Sequence, residues 1–169
     1  TCVLFGDGAG AAYLEESDKG IISVVQGSIG KKGMVLNCES RRTHNIFTED
    51  GIEHDYLHMD GQEVYKFAVR QCPKCLLEAL EKADMTADDI DYFVLHQANV
   101  RIIESVAKRL KAPIEKFPMT LGYTGNMSAA SVPVMLDSLV RDGGLKRGDK
   151  VAMSAFGAGL TYGAIVLEW

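Results

Sequence analysis

No run in this sequence is apolar and unbroken for long enough to cross a membrane; the uncharged stretch from Met119 to Leu136 is interrupted by Gly122, Gly125, Asn126 and Pro133. No signal-peptide pattern stands at the start. Positive charge is also scarce. The 18 Lys and Arg against 23 Asp and Glu leave a net charge of −5, and no arginine-rich arm or aromatic–basic interleaving offsets it, so nucleic-acid binding is set aside. Cysteine is thin as well: four in 169 residues cannot staple a chain of this length, and a reducing cytoplasm fits that usage. None of them sits in a recognisable nucleophile motif. There is no initiator Met either: the chain opens inside the apolar run Thr1-Cys2-Val3-Leu4-Phe5, which reads as a cut through a larger protein.

What is present is ordinary globular material. Hydrophobic residues make up 47% and charged residues 24%, enough for one good core or for one half of a larger pseudo-symmetric body. Strands are expected at Thr1–Phe5, Gly10–Leu14 and Ile21–Val25, the first two flanking a tight Gly6-Asp7-Gly8 turn. The span 27–58 is polar, glycine-punctuated and aperiodic, a long surface loop carrying Arg41, Arg42, His44, His54 and His58. Helix is expected over 61–83, a short turn capped by Thr86 after it, and then a buried strand at Asp91–Leu95. Further helices are expected over 99–111 and 128–141, the latter stopped by Asp142-Gly143-Gly144. Closing strands at Lys150–Ala155 and Tyr162–Trp169 complete an α/β reading with a mixed sheet covered by helices. The helix from Ser128 carries no charge before Asp137 and starts small and apolar all round. That composition predicts burial on every side and delivers the preceding loop, with Asn126, to the interior.

Cys72-Pro73-Lys74-Cys75 invites a redox or zinc reading. No second closely spaced Cys or His pair completes a tetrahedral site, however. Val64, Ala68, Cys72, Cys75, Ala79 and Ala83 recur at steps of three and four, so both cysteines fall on the apolar stripe of one helix, where free cysteine acts as a small hydrophobe. Pro73 is expected to kink that helix or crowd its early turns.

Two strings carry chemistry: Leu95-His96-Gln97-Ala98-Asn99 and Gly122-Tyr123-Thr124-Gly125-Asn126-Met127-Ser128. Each sets a polar donor beside an apolar segment, where a lone polar group is costly. His96 follows the strand Tyr92–Leu95, at the carboxyl edge where α/β sheets bind ligands. A neutral imidazole and the Asn126 amide can each donate one hydrogen bond, and two donors on one carbonyl oxygen stabilise an enolate or a tetrahedral oxyanion. The residues alone leave a plainer reading open, with His96 a buried histidine bonded to backbone and Asn126 a turn residue before a helix.

Four ordered strings resolve the choice by resemblance. Gly6-Asp7-Gly8-Ala9-Gly10-Ala11-Ala12, His96-Gln97-Ala98-Asn99-Val100-Arg101-Ile102-Ile103, Gly125-Asn126 followed by Ser128-Ala129-Ala130-Ser131-Val132-Pro133, and Phe156-Gly157-Ala158-Gly159 resemble the β-ketoacyl-acyl-carrier-protein synthase III family of the thiolase-like fold, in its C-terminal half. Met59-Asp60-Gly61-Gln62-Glu63-Val64-Tyr65-Lys66-Phe67 is similar to the helix opening below that family's substrate tunnel. The resemblance implies that residues 1–169 form one thiolase-like domain, whose mixed sheet is covered on both faces in the intact protein. It also implies a decarboxylative Claisen condensation that initiates fatty acid synthesis. A cysteine takes an acyl group from acyl-CoA, malonyl-acyl carrier protein loses CO2, and the enolate attacks the acyl-cysteine. His96 and Asn126 would hold the malonyl thioester oxygen, the Ala158 N–H would serve the oxyanion hole, Phe156 would line the reacting centre, and Asn99 and Gly61 would contact the pantetheine arm. No metal and no cofactor is implied beyond the CoA and phosphopantetheine thioesters themselves. The family's nucleophile lies in an Ala-Cys-Ser or Ala-Cys-Ala string of the N-terminal half. Cys2, Cys38, Cys72 and Cys75 lack that context, so the isolated chain is expected to be inactive.

Partners follow from the same resemblance: acyl-CoA, acyl carrier protein and a second copy of the intact protein. The helix after His96 carries Arg101, Lys108, Arg109 and Lys111 against only Glu104, which suits a small acidic protein. Arg101, near the tunnel mouth in the family, is the expected contact. A non-catalytic paired subunit of the same fold, a polyketide- or quinolone-type starter enzyme, and a thiol redox or zinc module are the alternatives.

Overall fold

In a computed structural model of the chain, residues 3–38, 47 and 56–169 are described; Thr1, Cys2, Arg41, Arg42, His44 and His54 lie outside them. In chain order the elements are β1 (Ile21–Ser28), β2 (Leu36–Asn37), β3 (His58–Met59), α1 (Gly61–Lys82), β4 (Tyr92–Leu95), α2 (Val100–Leu110), α3 (Leu121–Thr124), α4 (Ser131–Arg141), β5 (Lys150–Gly157) and β6 (Thr161–Glu168). Four strands form one sheet in the order β1-β6-β5-β4. β1 and β5 run antiparallel to β6, while β4 runs parallel to β5 with Leu95 opposite Ser154. The sheet is mixed, as the alternation of elements implied.

Alternate β4 residues serve different layers. Phe93 and Leu95 join the core under α1 and α2, where Phe93 stacks on Phe117 at 4.7 Å. Val94 faces the opposite way, into a smaller cluster with Met135 of α4, Leu145 and Val151. This period-two division is why β4 is apolar throughout. Helices therefore stand on both sheet faces, but α4 covers only the β4–β5 end. Ile22 and Val24 of β1 remain 41% and 49% exposed.

α1 starts where the Asp60 carboxylate accepts from the backbone N–H groups of Gln62 and Glu63 at 3.1 and 3.0 Å. Cys72 and Cys75 lie on its buried stripe with Val64, Ala68, Leu76 and Ala79. The helix runs through Pro73 without interruption. Proline has no N–H for the carbonyl four residues earlier, and Arg109 Nη1 of α2 donates to that Val69 oxygen at 3.4 Å instead.

Three expectations are corrected. The described residues 3–14 do not form two strands around a turn. Among the described residues only Phe5 makes a bridge, to Asn126, and residues 6–17 follow no regular element. Their glycines serve close packing: a Cβ on Gly6 would lie 2.0 Å from the Thr124 carbonyl oxygen, one on Gly8 2.5 Å from Met127 Sδ, and one on Gly10 2.5 Å from Pro133 Cγ. The expected loop over 27–58 contains the end of β1, a 3₁₀ turn at Gly30–Val35, and the β2–β3 ribbon. The helix expected from Ser128 begins as a 3₁₀ turn over Ser128–Ala130 and becomes α4 only at Ser131. Ser131 and Met135 are buried, but Val132, Pro133 and Val134 are half-buried and Ala129 is exposed. Small apolar residues there fit close approach to residues 6–10 on one side, not burial all round.

Candidate active site

The parallel pairing of β4 and β5 brings two strand ends to one edge of the sheet. The His96 N–H donates to the Ser154 carbonyl at 2.9 Å, which extends the ladder one residue past β4. The imidazole thereby stands 5.2 Å from the Phe156 ring, edge to face. Phe67 of α1 makes similar edge contacts with Phe156 and Tyr162 at 6.4 and 6.1 Å, so His96 rests on a buttressed aromatic shelf. Burial lowers its pKa from 6.5 to about 4. The ring is neutral near pH 7 and offers a hydrogen bond rather than a charge.

Its orientation is set from behind. His96 Nδ1 lies 2.7 Å from Ser131 Oγ, and the Gln97 N–H donates to that same oxygen at 3.2 Å. Gln97 is fully buried. Its Nε2 donates to the Leu95 and Pro118 carbonyls at 2.9 and 3.4 Å, and its Oε1 accepts the Thr120 N–H at 3.1 Å. This amide ties the end of β4 to the segment that leads into the Asn126 loop.

Asn126 is held by different groups. Its N–H donates to the Leu4 carbonyl and its carbonyl accepts from the Gly6 N–H, both at 3.0 Å. Its Oδ1 accepts the Ser128 N–H at 2.8 Å, in a turn that puts Ser128 at φ +52°, a left-handed conformation uncommon for serine. With Oδ1 committed, the amide nitrogen is the donor left over; it makes no hydrogen bond among the described residues. Asn126 is half-buried in a cleft wall, not enclosed in the interior as its helix composition suggested.

One cleft of about 300 Å³ is lined by His96, Asn126, Asn99, Gly61, Phe156 and Ala158. Six of the seven residues picked out in the sequence thus meet at a single site. Ala158 is exposed at the rim, its N–H without a hydrogen bond among the described residues, in the turn between β5 and β6. Asn99 Oδ1 caps α2 by accepting the Arg101 N–H at 2.9 Å. Arg101 itself does not line the cleft and sits exposed on α2. Leu4, Phe5, Leu36, Met59 and Tyr65 complete the walls. Met59 and Tyr65 belong to the string likened to the helix below a substrate tunnel; sequence reasoning missed Leu4, Phe5 and Leu36, along with the supporting roles of Gln97 and Ser131. For Ser131 the available signal was a hydroxyl in the otherwise apolar start of a helix.

The Cys72–Cys75 pair carries no site. Both side chains are buried, Cys75 Sγ donates to the Cys72 carbonyl at 3.2 Å, and desolvation pushes the Cys72 thiol up to about 12. Thiolate chemistry is unfavourable there. Among the described residues, no group of three His, Cys, Asp or Glu is placed to hold a metal, and no helix is long and apolar enough to cross a membrane.

Residues 80–169 match the family model described as 3-oxoacyl-[acyl-carrier-protein (ACP)] synthase III C terminal. A β-ketoacyl-[acyl-carrier-protein] synthase III from Synechococcus sp. (strain WH7803) is 47% identical over 175 residues, covering 100% of this chain and 52% of that protein. Among solved structures, a synthase III from Thermus thermophilus superposes with a TM-score of 0.83 at 39% identity, covering 100% of this chain and 53% of that one. The priming β-ketosynthase from the R1128 polyketide pathway gives 0.79 at 38%, covering 88% and 45%. The chain spans about half the length of the curated relatives it matches, and its fold is that of thiolase-like condensing enzymes. It belongs to the 3-oxoacyl-[acyl-carrier-protein] synthase III C-terminal family.

Proposed function

We propose that this chain is the C-terminal half of a β-ketoacyl-acyl-carrier-protein synthase III, and that its cleft drives decarboxylation of a malonyl thioester held on acyl carrier protein. The observation that carries the reading is the meeting of His96, Asn126 and Ala158 on one cleft. His96 and Asn126 bind the malonyl thioester oxygen. As the bond to the carboxylate breaks, its electron pair moves onto that oxygen and CO2 leaves. Donors already fixed around the developing enolate need not reorganise as charge appears, which is the largest contribution a protein commonly makes to such a step. A neutral histidine suits this role, because it donates without protonating the enolate outright. The enolate carbon then attacks an acyl thioester, whose own oxyanion is met by the Ala158 N–H; as that oxyanion collapses the acyl carbon–sulfur bond breaks and the cysteine leaves as thiolate. Phe156 keeps water from the reacting atoms, while Asn99 and Gly61 take the pantetheine arm.

The acyl-accepting cysteine comes from outside these residues, since Cys72 and Cys75 are buried with raised pKa values and neither Cys2 nor Cys38 stands in an Ala-Cys-Ser or Ala-Cys-Ala string. No metal or organic cofactor enters the reaction. The working protein is a cytoplasmic homodimer with acyl-CoA and malonyl-acyl carrier protein as substrates. Acyl carrier protein docks on the basic surface of α1 and α2. Lys66, Arg70 and Arg109 line a groove between these helices, with Arg101 exposed further along α2. Glu63 neutralises Lys66 and Lys32 at 2.9 and 2.7 Å, which leaves Arg70 and Arg101 without an ion pair among the described residues. The likeness to the R1128 priming enzyme supports starter condensation for a polyketide as a second reading, distinguished by which carrier protein the enzyme accepts.

The test is CO2 release from malonyl-acyl carrier protein by the intact protein. His96→Ala and Asn126→Ala should each lower it roughly a hundredfold or more, the cost of losing one oxyanion donor. Unchanged release in both variants would sink the reading.

A further inference from the structure

Three polar atoms lie within hydrogen-bonding distance of the Ser131 hydroxyl, and two of them, His96 Nδ1 and the Ser128 carbonyl oxygen, can compete for its one proton. Ser131 Oγ is 2.7 Å from His96 Nδ1, 3.2 Å from the Gln97 nitrogen and 2.9 Å from the Ser128 carbonyl oxygen. The Gln97 N–H is a donor in any state and occupies one lone pair. Two arrangements remain. If the hydroxyl donates to Ser128, it must accept from Nδ1–H, and His96 then turns a bare Nε2 lone pair to the cleft. If it donates to Nδ1, the imidazole proton sits on Nε2 and faces the cleft as a donor.

The surroundings favour the second arrangement. The Ser128 carbonyl already accepts the backbone N–H of Ser131, so losing the hydroxyl proton does not orphan it. Nδ1 has no partner other than Ser131 among the described residues, and the Oγ–Nδ1 separation is the shortest of the three. The Gln97 N–H, held by its fully buried residue, polarises the hydroxyl and makes it a better donor.

We propose that Ser131 is a positioning residue that fixes the His96 tautomer with its proton on Nε2, and so makes the histidine a donor to the substrate oxygen. The same serine links the two sides of the cleft. Ser128 O lies against Ser131 Oγ, while the Ser128 N–H donates to Asn126 Oδ1 at 2.8 Å.

The inference rests on the proposed role of His96, and its test keeps the two apart. In the intact protein labelled with 15N-histidine, long-range proton–nitrogen correlations report which ring nitrogen of His96 carries hydrogen, with no reference to turnover. The expected wild-type spectrum has the proton on Nε2. Ser131→Ala should move it toward a mixture with the Nδ1–H form, and Ser131→Thr, which returns the hydroxyl, should restore the wild-type pattern. In CO2 release, Ser131→Ala should lower kcat by about tenfold or more at similar KM, the scale of losing a histidine's outer partner. A wild-type spectrum with the proton on Nδ1 overturns the proposal, and so does a Ser131→Ala spectrum identical to wild type. A tautomer change with His96→Ala fully active would instead overturn the catalytic reading and leave the role of Ser131 in setting the tautomer standing.

Discussion

His96 hangs from ties inside the protein, whereas Asn126 is gripped from outside. Behind the histidine lie buried Ser131, Ser154 and Gln97, with Phe156 in front of it. Behind the asparagine runs a single strip of chain, Leu4 to Gly6, whose backbone pairs with it and whose residues are largely exposed. The two side chains present similar donors to one cleft, yet one wall is set by the core and the other by an extended segment more than a hundred residues away in sequence. A site built this way has one wall that moves only when the core does and one that loosens whenever its strap does.

The sharpest way to break that asymmetry is at Gly6. A Cβ there would lie 2.0 Å from the Thr124 carbonyl oxygen, a backbone atom with little room to retreat. Gly6→Val in the intact protein should lift the strip and displace Asn126. CO2 release should fall roughly a hundredfold, since misplacement by an ångström can cost that much. Overpacking should cost about 1–3 kcal/mol in denaturant unfolding. The His96 imidazole resonances should barely change, because nothing behind the histidine touches Gly6. Loss of both walls together, or full activity in the variant, would contradict the division.

Acid separates the walls in another way. Burial holds His96 at a pKa of about 4 against 6.5 when exposed. The unfolded chain therefore binds a proton as pH falls through 6.5, while the folded one does not until about 4. Stability is full above 6.5 and declines between 6.5 and 4, by about 3 kcal/mol at most for this one group. Glu63 and Glu168 work in a lower window. Lys32 and Lys66 hold Glu63 near 2, and Lys150 with Lys19 holds Glu168 near 2, so what they contribute is present above 4.5 and fades only below it. Unfolding followed from pH 7 to 4.5 should show a slope that His96→Gln removes; a slope that persists in the variant assigns the effect elsewhere.

This difference between the walls also explains what the sequence could and could not reveal. β4, α1 and α2 are legible because each obeys a local rule: an apolar strand, a stripe at steps of three and four capped by Asp60, a helix capped by Asn99. The position of His96 is legible because it directly follows such a strand. Gly6, Gly8 and Gly10 look like turn residues, and only the fold reveals that each makes room for a distant partner. The start of α4 misleads for the same reason, since its small residues meet a strip of backbone that no local pattern announces. Ser131 offers only the hint of a hydroxyl in an apolar helix start, because its distant partners, His96 and Gln97, reach it only after β4 and α4 have packed.

The smallest expected effect lies outside both walls and tests whether carrier recognition is separate from chemistry. Arg101 is one turn beyond His96 but exposed, touching the site only through its backbone N–H to the Asn99 cap. Its charge can steer an acidic carrier protein without entering the cleft, and such steering is screened within about 10 Å at 0.1 M salt. Arg101→Glu should therefore raise KM for malonyl-acyl carrier protein several-fold at low salt and flatten its salt dependence, with kcat unchanged. A small malonyl thioester lacking the carrier protein should be turned over equally by both forms. An unchanged KM removes Arg101 from the docking surface, whereas a fall in kcat with the small thioester would mean that the helix cap, and with it the His96 wall, had moved.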